Sequence, residues 1–185
     1  QVAALTNLAV GALKTDQIAA MTTSGVAAFT TAQVGALTTA QVGALTTDQA
    51  AAMTTAQIGA MSSRQLGALS TDDIGALSTG QVAAMSTRSL GGLTTAQIAS
   101  FSTDQVAAFS TAQIALLSTA QAAAIETVDI AALSTAQIAA FSSRGLSVLT
   151  TDQIVAMETA DVAALSTVQV GALTTRQLGV LTTDQ

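Results

Sequence analysis

The side chains of this 185-residue chain that could carry chemistry are Asp, Glu, Ser, Thr, Lys and Arg, since it contains no His, Cys, Tyr or Trp. Without imidazole or thiolate, the usual general bases, sulfur nucleophiles and soft metal ligands are missing. Ser and Thr are abundant, yet none is accompanied by a histidine that would activate it, so no nucleophile can be singled out. Asp72 and Asp73 are adjacent carboxylates but lack the alternating Asp/Asn spacing and the glycine turn of a calcium loop, and they read as a solvated helix start. Glu126 with Asp129 and Glu158 with Asp161 repeat one spacing. Stacked between coils they could offer carboxylates to a cation, while the simpler reading is a substituted helix cap. Arg64 and Asp72, Arg144 and Asp152, and Arg176 and Asp184 stand one repeat apart, where a lateral surface ion pair is worth at most about 1 kcal/mol. These residues therefore assign no catalytic, cofactor-binding or metal site, and no enzymatic activity is expected.

The charge balance narrows the partners. The net charge is −6 and the only cations are Lys14, Arg64, Arg88, Arg144 and Arg176, too few to build the basic stripe that neutralises phosphates. Nucleic acid is excluded on that ground. Mean hydropathy is +0.56, as in many membrane proteins. Hydroxyl residues nevertheless break every apolar run far short of the roughly 18 residues of a spanning helix, so membrane insertion is not expected. The absence of Cys leaves the compartment open while allowing an extracellular life without disulfides.

What positions these groups is a repeat. LTTAQVGA, LTTAQVGA, LTTDQAAA and MTTAQIGA run consecutively from Leu37, and an eight-residue register holds along the chain without insertion or deletion. With slot a at Leu5, the unit reads a Leu, b Thr or Ser, c Thr, d variable, e Gln, f Val or Ile, g Ala or Gly, h Ala. Slot a holds 13 Leu, 5 Met, 4 Phe and 1 Ile, so every Met and Phe sits there. Slot f is Val, Ile or Leu except at Ala50 and Ala122, and slot c is Thr or Ser except at Asn7. Slots a and f are the expected core. Charges fall in slots b, d and e, which marks that edge as solvated.

An eight-residue step advances an α-helix by about 80° beyond whole turns, which would smear slot a around a single long helix. Alanine-rich runs also make poor strands. The local pattern instead starts a new helix in every unit. Thr or Ser in slot b followed three residues later by Gln is a capping box, and the apolar residues of slots a and f form the flanking hydrophobic staple. Asp16, Asp48, Asp72, Asp104, Asp152 and Asp184 in slot d then lie in the first turn, where the helix dipole favours a carboxylate. Where Glu126 and Glu158 replace the slot b hydroxyl, Thr127 and Thr159 are alternative caps.

Helices this short are marginal alone, because nucleation outweighs the one or two hydrogen bonds gained. Stability must come from stacking, and the chain is expected to be an all-α solenoid of about 23 short helices, one per repeat, spanning residues 1–185 as a single array. The one or two residues available at each corner favour three or four repeats per coil. A higher-order period of 32 residues is also visible, as in Glu126 and Glu158 or Arg144 and Arg176. Both termini fall in slot e, as expected for a window of a longer array, so the lack of a signal sequence does not argue against secretion.

The LTTAQVGA and LSTAQIAA units resemble the octapeptide arrays of very large bacterial surface or secreted proteins, which are often labelled as haem-utilisation or adhesion proteins. The resemblance covers the whole chain. It implies an extracellular or cell-surface location. Haem finds no support in the residues, because only Met could act as a familiar axial ligand and each Met exchanges with Leu and Phe in a core slot. The expected role is a non-catalytic spacer, stalk or filament subunit that binds no cofactor or small-molecule substrate and self-associates end to end or side by side. The alternative is an ice-binding or partner-binding scaffold that presents the regular Thr and Ser rows.

Overall fold

The computed structural model describes residues 2–185. The chain divides into two compact units, Gln1–Ser100 and Phe101–Gln185. Each is an all-α solenoid. The described residues form 22 short α-helices after an opening 3-10 turn at Val2–Ala4, and no strand. Each helix occupies one repeat, as in Thr31–Ala36, Thr39–Val42 and Thr47–Ala52.

The boundaries follow from the capping chemistry. Thr30 has extended backbone (φ −72°, ψ 159°), its hydroxyl accepts from the Gln33 N–H at 3.2 Å, and its own N–H donates to Gln33 Oε1 at 2.7 Å. Two of the helix's orphan donors are thereby satisfied. At the other end the Leu37 N–H donates back to the Val34 carbonyl at 3.1 Å, a tightened last turn, and Leu37 itself is extended. A corner thus consists of a slot a and a slot b residue in ordinary extended conformation. No described residue has positive φ, so the corners are made without proline and without a left-handed glycine. Thr127 and Thr159 do not take over as caps. Glu126 and Glu158 keep the N-cap position, Glu126 without a side-chain cap bond and Glu158 with its N–H donating to Asp161, and the helices still begin at Thr127 and Thr159.

Within each unit, helices three positions apart stack on one another. In the first unit Thr31–Ala36 packs on Asn7–Gly11, and Thr55–Ala60 on Thr31–Ala36. In the second, Thr127–Ala132 packs on Thr103–Ala107 and Thr167–Ala172 on Ser143–Ser147. A coil therefore takes three repeats, and the side-chain hydrogen bonds between coils span 28 and 31 residues because they run from slot e back to slot a three repeats earlier and to the slot f residue just before it. Slots a and f fill the core as the pattern predicts: Val34, Ile58 and Leu146 in slot f are wholly buried, and Leu37, Met61 and Phe141 in slot a nearly so. Phe101 and Phe109 meet edge to face with ring centroids 5.2 Å apart.

The small residues of slots g and h allow backbone to meet backbone. A Cβ on Gly59 would stand 2.9 Å from the Ala84 carbonyl oxygen, and one on Gly67 would stand 2.4 Å from that of Gly92. Gly92 is the tightest point, where a Cβ would fall 1.9 Å from the Ser63 oxygen. Only glycine fits there.

Candidate functional site

The feature that recurs with the most chemistry is the slot e side chain, and it is not solvated. Gln33, Gln41, Gln49, Gln57 and Gln65 are buried, against the expectation that this edge faces water. The reason is that the amide has two jobs. In Gln57, Oε1 accepts from the Thr54 N–H at 2.7 Å and closes the capping box, while Nε2 crosses to the preceding coil and donates to the Phe29 carbonyl at 2.7 Å and the Val26 carbonyl at 3.1 Å. Gln41 bonds Leu13 and Val10 in the same way, Gln65 bonds Leu37 and Val34, and Gln177 bonds Leu149 and Leu146. The acceptors are the corner carbonyl of slot a and the last-turn carbonyl of slot f; the latter already accepts the slot a N–H, as Val26 does from Phe29 at 3.1 Å, and takes the amide on its second lone pair. One side chain therefore caps its own helix at the N-terminus and ties down the end of another helix in the coil below.

The energetics favour this arrangement. A buried amide without partners loses about 1 to 3 kcal/mol, whereas each satisfied bond contributes about 0.5 to 1.5 kcal/mol net. A ladder of such rungs adds direction and register to apolar stacking that by itself has little of either.

The residues that the sequence singles out for possible chemistry are dispersed. Asp72 is exposed, while Asp73 is buried in slot e and accepts the Ser70 N–H at 2.9 Å, so the two do not form a ligand pair. Asp161 likewise accepts the Glu158 N–H at 2.9 Å. Asp129 instead accepts from the Thr103 hydroxyl of the preceding coil at 2.7 Å. Among the described residues no three His, Cys, Asp or Glu side chains converge in a way that could hold a metal ion. Met53, Met61, Met85 and Met157 are core. Arg64, Arg144 and Arg176 are exposed in slot d and form no ion pair with Asp72, Asp152 or Asp184 among the described residues. No helix among them is long and apolar enough to cross a membrane.

The model of the ALTTAQ repeat matches residues 26–55, 51–87, 82–119, 122–157 and 154–185. The chain belongs to the ALTTAQ repeat family. No curated protein matches it. The structure gives the ALTTAQ letters physical roles: the second Thr opens the helix, the first caps it, and the Gln is the rung. The units before residue 26 depart from the pattern at Asn7, Ala9, Lys14 and Gly25, and of the described slot e residues there only Gln17 retains the amide.

Proposed function

We propose that this ALTTAQ array is a non-catalytic structural element, an extracellular or cell-surface spacer, stalk or filament subunit. The observation that carries this reading is the rung. Each coil offers the next one an apolar surface and carbonyl acceptors in the same slots, and most slot e positions answer with an amide, which is the logic of an element built to extend. The chemistry of the side chains points the same way, because its acidic groups are spread over caps and rungs and its Met residues fill the core. The resemblance to repeat arrays of large bacterial surface or secreted proteins supports the location.

The rung also has a polarity. Donors lie on one face of a coil and acceptors on the other, so association between copies would be head to tail and open, not two-fold symmetric. Electron microscopy of the native material tests the proposal: stalks or fibres are expected, and globular particles that bind a ligand tightly would overturn it.

A second reading rests on a separate observation. Capping uses the slot b hydroxyls, whereas the slot c hydroxyls of Thr31, Thr39, Thr47 and Thr55 lie exposed outside the caps. A regular Thr surface of this kind could order water or receive a partner. Thermal hysteresis in cold solution would favour ice binding, and a spacer shows none.

A further inference from the structure

The rung is not present at every slot e position, and the gaps follow a rule. In the first unit Gln33, Gln41, Gln49 and Gln57 form a full run, each donating to the preceding coil. Then Asp73 and Ser89 interrupt the ladder between Gln65, Gln81 and Gln97. Asp73 bonds only within its own cap, and the Ser89 hydroxyl turns back to Ser86. In the second unit Gly145 and Asp161 alternate with Gln137, Gln153 and Gln169. Among the described residues no amide crosses to the Leu45, Met61, Leu117 or Leu133 carbonyls, which precede these four residues by the 28 positions that a Gln would span.

Burial does not change with the chemistry. Asp73, Ser89 and Asp161 are as buried as the glutamines they replace, and the slot f residues beside them, Ile74 and Leu90, remain core. The apolar stack is therefore continuous past Asp73 and Ser89 while the polar lock is thinned. Gaps never fall on neighbouring repeats of these runs, so each coil keeps alternate rungs and stays registered.

We infer that the slot e residue sets the strength of each coil junction, and that the repeats from Asp73 to Ser89 are a built-in site of local opening, weaker than the fully runged repeats from Gln33 to Gln57. Solenoid stability is a sum of repeat and neighbour terms, so a junction that lacks rungs opens at lower free energy than its neighbours without unfolding them. If the spacer role proposed above holds, such coils are the ones that yield first under tension and let the element lengthen in steps. That consequence depends on the proposed role, whereas the difference in junction strength does not.

Native-state hydrogen exchange on the full chain, resolved by mass spectrometry, tests the inference. Backbone amides of the helices Thr71–Gly75 and Thr87–Leu90 should exchange faster than those of Thr39–Val42 and Thr55–Ala60. Asp73→Gln combined with Ser89→Gln should restore two rungs and slow local exchange about tenfold or more, from two net hydrogen bonds per rung. Conversely, Gln49→Ser should speed exchange in its own coil. Equal protection of the two coils, or rates unmoved by the paired glutamines, would overturn the inference. Stretching single molecules would separately test the mechanical role, so a failure there with graded exchange intact would count against the spacer reading alone.

Discussion

Gln57→Glu changes one atom type in the rung and should be among the most disruptive isosteric substitutions in the chain. Glutamate keeps the Oε1 acceptor for the Thr54 N–H but turns the donor at Nε2 into a second acceptor. That atom faces the carbonyls of Phe29 at 2.7 Å, Val26 at 3.1 Å and Ala27 at 3.2 Å from a side chain that is 2% exposed. Losing two or three bonds at about 1 kcal/mol each removes 2 to 3 kcal/mol. Leaving a buried carboxylate uncompensated raises the total to about 3 to 5 kcal/mol at neutral pH. The charged form is disfavoured in the folded state, so the folded pKa lies above the unfolded value of about 4.3. Native protein then binds more protons than unfolded protein above that pH. Stability of the variant should therefore be highest below about pH 4.3, fall as pH rises, and level off above the folded pKa. Gln57→Met loses the same bonds without adding charge and should show no such slope. Urea denaturation across the pH range, with exchange at the neighbouring helices as a local readout, is the assay. A glutamate variant as stable as the parent at pH 7, with a flat pH profile, would refute the two-sided role of the amide.

Gly92→Ala should destabilise by about 2 kcal/mol or more because its Cβ would overlap Ser63 backbone, whereas Gly35→Ala, with nothing within 4 Å, should stabilise slightly through helix propensity; thermal melts of the pair separate the two. Ile114→Asp or Leu117→Asp should lower the melting temperature strongly, since both side chains are core, while Ala120→Ser in the exposed slot d should leave it nearly unchanged. Thr54→Ala should lose about 1 kcal/mol with its cap, and Thr55→Ala, next to it but exposed, should lose less than about 0.5 kcal/mol by urea titration.

Much of this fold is legible in eight letters. The capping box places a helix start at slot b in nearly every unit, and the unbroken apolar character of slots a and f identifies the core, because both signals are local or periodic and need no partner coil. Slot e is where local reasoning stops. Gln satisfies the capping box, and so would Glu, so the cap alone leaves the choice open and charged Asp at the same slot suggests a wet edge. Yet every Gln of the chain is in slot e and Glu never occurs there. That exclusion is the trace of the amide donor, and its meaning emerges only when the carbonyl 28 residues earlier is brought into reach. The arginine-bearing units mislead for a similar reason. Arg64 and Asp72 lie one repeat apart in sequence, but one repeat is a corner of the coil, and no ion pair forms between them among the described residues.

Slot e amides join coils at a fixed separation, and side-chain NMR of the glutamines reads that separation out. With 15N-labelled glutamine in the full chain, the Nε2 protons of Gln41, Gln49, Gln57 and Gln65 should be protected from exchange. They should also show nuclear Overhauser contacts to Leu13, Met21, Phe29 and Leu37 respectively, each 28 residues earlier. Freely exchanging amides, or contacts only to residues of the same repeat, would contradict the account.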